Sequence, residues 1–78
     1  MTAKELVISI DKPYTTKLVI IDNDNFGEIV FKGCLGYLQR CINEHPNDER
    51  FFDKHYELDM SVCSYDTTDN MVVIEVQY

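Results

Sequence analysis

One change of hydrophobic period, at Gly33, constrains the fold of this chain more than any other feature. Before it, Lys17-Leu18-Val19-Ile20-Ile21 and Glu28-Ile29-Val30-Phe31-Lys32 are short, nearly continuous apolar runs of strand length. Between them, Asp22-Asn23-Asp24-Asn25-Phe26-Gly27 is rich in residues that tolerate turn geometry. The pair therefore predicts a hairpin. After Gly33, Leu35, Leu38 and Ile42 recur at helical spacing, with Cys34, Tyr37 and Cys41 as a second stripe beside them. The predicted helix spans Gly33 to Glu44 and turns Gly36, Gln39, Arg40 and Asn43 toward solvent. Pro46 restricts His45 and ends it. Gly36 weakens that helix by about 1 kcal/mol relative to Ala, a cost expected to serve close packing against a strand.

The rest of the chain reads as strands around this unit. Leu6, Ile8 and Ile10 alternate with Glu5, Val7, Ser9 and Asp11, which predicts a first strand broken at Pro13. The cleanest alternation runs from His55 to Cys63. There Tyr56, Leu58, Met60 and Val62 face one way, and His55, Glu57, Asp59, Ser61 and Cys63 face a wet side. A loop over Ser64 to Asn70 returns to a last strand, Met71 to Val76, and the Asn47–Asp53 segment forms a short helical turn with Phe51 and Phe52 adjacent in it. The expected order is β-β-β-α-β-β: an α+β fold, with a mainly antiparallel sheet of four to five strands and one helix on a face. Seventy-eight residues make a single domain, 1–78, with room for one core and one small site.

Charge is distributed unevenly along this order. Fourteen Asp or Glu against seven Lys or Arg give a net charge of −7. That balance argues against direct binding to nucleic acid or to anionic lipid, both of which need clustered cations. Residues 1–40 carry five basic and five acidic side chains, whereas residues 41–78 carry only Arg50 and Lys54 against nine acids. Eight of those nine lie between Glu44 and Asp69. On the expected fourth strand, Glu57 and Asp59 share a face about 6.6 Å apart, a spacing that resembles successive phosphates of one nucleic-acid strand. Asp48, Glu49 and Asp53 on one flank and Asp66 on the other extend the field, and Tyr65 adds an aromatic anchor. Such a surface attracts a basic groove and raises its encounter rate. A solvated face that merely keeps a small domain soluble is the competing reading of the same charges.

Motifs for chemistry are weak. Asp22 to Gly27 resembles the start of a calcium loop, but Phe26 and Gly33 stand where an EF-hand needs oxygen ligands. Cys34, Cys41, Cys63, His45 and His55 lack the paired spacing of a structural zinc site. On a straight strand His55 and Ser61 stand about 20 Å apart, beyond the reach of a catalytic dyad. The three glycines, Gly27, Gly33 and Gly36, form no phosphate loop. The expectation is a non-enzymatic protein with no cofactor and no metal. Three cysteines without a framework spacing, no apolar run longer than Leu18–Ile21 and no leader-like start predict a reduced, cytoplasmic protein.

A stand-alone chain of 78 residues with this sheet, one helix and an acidic second half resembles small phage-encoded inhibitors, anti-CRISPR proteins among them. The resemblance is one of size, charge and element order. It implies a DNA mimic acting in the host cytoplasm on a basic nucleic-acid-handling partner, such as a CRISPR effector. The contact residues expected from the charge are Asp48, Glu49, Asp53, Glu57, Asp59, Tyr65 and Asp66. The alternative is a structural module that forms a homodimer by pairing sheet edges through Leu18–Ile21 or Met71–Ile74.

Overall fold

A computed structural model describes residues 1–78. The elements are α1 (Ala3–Ser9), β1 (Lys17–Asp22), β2 (Glu28–Cys34), α2 (Leu35–Glu44), α3 (Glu49–Lys54), β3 (Ser61–Thr67) and β4 (Met71–Gln77), with short 3-10 turns at Asn23–Asn25 and Tyr56–Asp59. The fold is α+β. Its four-stranded sheet has the order β2-β1-β4-β3 and is mixed rather than mainly antiparallel. The β1–β2 and β3–β4 pairs are antiparallel hairpins, and the central pair, β1–β4, is parallel. The near-continuous runs Leu18–Ile21 and Met71–Ile74 are therefore the two inner strands, bonded on both sides, and cannot pair as edges. A run that is apolar on both faces suits that central place.

One face of the sheet carries the core. Leu18 and Ile20 of β1 and Val72, Ile74 and Val76 of β4 pack with Leu35, Leu38 and Ile42 of α2 and Ala3, Leu6 and Val7 of α1. Leu58 and Met60 complete this cluster from the chain leading into β3. The helix α2 starts without a side-chain cap. Its first amides are satisfied from the preceding loop instead, where Leu35 N donates to Thr16 O and Gly36 N to Tyr14 O. Gly36 is buried, and a Cβ there would lie 2.2 Å from Tyr14 Cδ2 and 2.8 Å from Tyr14 Cα. Its partner in close packing is thus the Tyr14 loop rather than a strand. Gln39 also turns inward, where its Nε2 donates to Val7 O and Ile10 O at the end of α1, while Tyr37 is exposed.

One expected strand is a helix, and another begins six residues later than expected. The alternation of Leu6, Ile8 and Ile10 gives way to helix α1, because Thr2 and Glu5 form a capping box. The apolar side chains Ala3, Leu6 and Val7 then fall on one helical face, and Ile8 is exposed. From His55 onward the chain forms the 3-10 turn Tyr56–Asp59 instead, and β3 begins only at Ser61. It extends through Tyr65 and Asp66, residues whose sequence pattern predicts a loop. The hairpin after β1 is as the sequence predicts, with Phe26 and Gly27 at positive φ of 58° and 75°. No helix is long and apolar enough to cross a membrane, and all three cysteines are free thiols.

Candidate acidic groove

Folding collects three acids of the second half and scatters the other expected contacts. Glu49 and Asp53 stand four residues apart on α3, which places their Cβ atoms about 5–6 Å from each other on one helix face. Both are exposed, as is Asp59 at the end of the 3-10 turn. These three carboxylates, with Phe52, Pro46 and Lys4, line an open depression of about 560 Å³. Phe52 is half-buried against the core, with the Lys4 Nζ 4.4 Å from its ring centroid. The depression therefore has an aromatic floor, one cation already held on that floor, and carboxylates around its rim.

Asp48 serves the local fold. It caps α3 by accepting from Arg50 N and Phe51 N, and its carboxylate lies 3.6 Å from His45 Nδ1 and 3.7 Å from Arg50 Nε. Partial burial pushes this carboxyl up, but the Phe51 and Arg50 amides, with the charge of Arg50, hold it below its ordinary value. His45 stacks on Phe51, and Phe51 meets both Phe52 and His55, so the two phenylalanines form the joint between α3 and the core.

Glu57 does not belong to any wet face. It is 2% exposed and its Oε1 lies 3.3 Å from His55 Nδ1. The pairing of Glu57 with Asp59 on one strand face fails because a 3-10 turn, with about three residues per turn, does not alternate. Tyr65 and Asp66 lie away from the groove on β3. Tyr65 pairs with Ile74 and shares the helix-side face, while Asp66 pairs with Val73 on the opposite, bare face.

A second concentration of negative charge was not legible in the chain order. Partial burial, and the nearby charges of Asp22, Glu57 and Glu28, hold the Tyr56 hydroxyl above its ordinary range. Asp22 and Glu28 come from the formally neutral first half, so the division at residue 40 does not survive as a division of the surface. No three His, Cys, Asp or Glu side chains cluster closely enough to hold a metal ion. Compared with family models, characterised proteins and solved structures, the chain matches none.

Proposed function

We propose that this chain is a non-enzymatic, protein-binding inhibitor that occupies the nucleic-acid-binding site of a basic partner. The observation that carries this reading is the convergence of Glu49, Asp53 and Asp59 on one depression floored by Phe52. The carboxylate pair on α3 keeps the phosphate-like spacing that the sequence suggested for Glu57 and Asp59, now on a helix. Carboxylates at that spacing compete for the lysines and arginines that otherwise neutralise phosphates, and Phe52 supplies an apolar anchor among them. The net charge of −7 adds long-range attraction to such a groove.

The class of partner that fits is a nucleic-acid-handling complex, and small size, acidic charge and α+β build favour a phage anti-defence protein of the anti-CRISPR kind. The contact acids in this reading are Glu49, Asp53 and Asp59, with Asp48 beside them as the cap that holds α3 in place. Charge reversal tests it. Glu49→Lys with Asp53→Lys is expected to abolish retention of purified CRISPR effector complexes that the unmodified chain retains, with the circular dichroism spectrum unchanged. Undiminished retention by the folded double variant would overturn the reading.

A further inference from the structure

The helices cover only one face of the sheet. Every residue of the core cluster that β1 and β4 supply, namely Leu18, Ile20, Val72, Ile74 and Val76, points to that face. The molecule measures 19 Å along its shortest axis, which is the thickness of one sheet and one helix layer at about 10 Å per layer. The other face is bare of helices. At its centre stand Val19, which its neighbours on the sheet leave 7% exposed, and the half-buried Ile21, Val73 and Met71; Ile29 beside them is 55% exposed.

The strand register draws a charged line across this bare face. Lys32 pairs with Val19, Val19 with Val73, and Val73 with Asp66. Four side chains on four strands thus form one row: cation, apolar, apolar, anion. Lys32 and Asp66 are both exposed and stand at its ends, about 14 Å apart over three strand spacings.

From this row we infer that two copies of the chain pack bare face to bare face, across a two-fold axis parallel to the strands. That axis brings β2 of one copy over β3 of the other at the same height. Lys32 of each copy then meets Asp66 of its partner, so the contact is self-complementary and holds two ion pairs. A two-fold axis perpendicular to the strands would instead set Lys32 against Lys32 and Asp66 against Asp66, and is disfavoured by like charge. Between the pairs the half-exposed Val73, Ile21 and Met71 leave water, and Val19 is buried already. Lys17 and Glu75 sit toward opposite ends of the central strands; the long stem of Lys17 carries its charge to the rim, and Glu75 is half-buried on the sheet already.

A four-stranded face about 20 Å on a side is small for an interface, so the dimer is concentration-dependent rather than obligate. It leaves the acidic groove free, because α1 and α3 lie on the other side of the sheet; each dimer presents two grooves facing outward. The inference does not depend on the groove's partner and is tested without one.

The test is sedimentation velocity of the purified chain from about 10 µM to 1 mM at 0.15 M salt, with a charge swap. The unmodified chain is expected to shift from monomer to dimer across that range. Lys32→Glu alone and Asp66→Lys alone each turn two attractions into two repulsions, and are expected to weaken association about tenfold. Lys32→Glu with Asp66→Lys restores both pairs and is expected to recover dimerisation. A monomer at every concentration overturns the inference, whatever else binds the face. So does dimerisation that the single reversals leave unchanged, or that the double swap fails to recover.

Discussion

The buried carboxylate of Glu57 rests on a single side chain: its Oε1 lies 3.3 Å from Nδ1 of His55, and no other side chain bonds it. Glu57 is only 2% exposed, so loss of that partner strands a polar group away from water. His55→Ala is expected to lower stability by about 1–3 kcal/mol. His55→Ala combined with Glu57→Met, which removes both polar groups, is expected to recover most of that loss. Urea unfolding measures both. A single variant as stable as the parent would contradict the role given to the pair.

Gly36 is a second point where substitution runs against local propensity. Alanine there favours the helix by about 1 kcal/mol, but its Cβ would stand 2.8 Å from the Tyr14 backbone. The loop that holds Tyr14 also supplies the carbonyls that satisfy the first amides of α2, so it cannot retreat freely. Gly36→Ala is expected to destabilise by about 1–3 kcal/mol net. A melting temperature equal to or above that of the parent would show that the loop gives way.

Acid should loosen the two capped helices at the ends of the helical layer. The Glu5 carboxyl is held below its ordinary value by the Thr2 amide and then by the Thr2 hydroxyl; Asp48 is held low by the amides that outweigh its partial burial. A carboxyl whose value is depressed by folding stabilises above its unfolded value, and that contribution fades as pH falls through the folded one. The window therefore opens at about pH 4 and extends downward. Glu5→Gln with Asp48→Asn keeps the caps but removes the charges. The stability gap between this variant and the parent is expected to be constant near neutrality and to close below pH 4. A gap that persists at pH 2.5 would place the effect elsewhere.

The sequence made the β1–β2 hairpin, α2 and β4 legible because each has an apolar pattern that its final place satisfies. Where it misled, two periods coexisted in the same residues. Leu6, Ile8 and Ile10 alternate, yet Ala3, Leu6 and Val7 also lie at i, i+3 and i+4, and Thr2 with Glu5 carries the capping-box spacing. That start signal was present and decides the matter for α1. From Tyr56 to Met60 the alternation is equally clean, but burial follows Glu57, Leu58 and Met60 instead. There His55 pairs with a buried Glu57 two residues on, a contact that a strand's alternation of faces does not anticipate. The parallel β1–β4 contact joins segments about fifty residues apart, which no window of sequence registers.

The acidic site was legible in composition and misplaced in geometry. Glu49 and Asp53 show as an i, i+4 pair once α3 is assigned, and Asp48 shows as its cap. Lys4 could not be foreseen in the groove, because it arrives on α1, which read as a strand. Asp66 keeps its exposure and changes its neighbours: it sits on the bare sheet face with Lys32 at the far end of its row.

Competition for a nucleic-acid site tests the proposed function most directly. Labelled target DNA bound to purified CRISPR effector complexes would be titrated with the chain and followed by fluorescence anisotropy at 50 and 200 mM salt. Displacement of the DNA by the unmodified chain is predicted, weakening at the higher salt as charges are screened. Its loss is predicted in the folded variant carrying Glu49→Gln, Asp53→Asn and Asp59→Asn. Displacement that this variant performs as well as the parent, or that ignores salt, would contradict an acidic groove acting in place of nucleic acid.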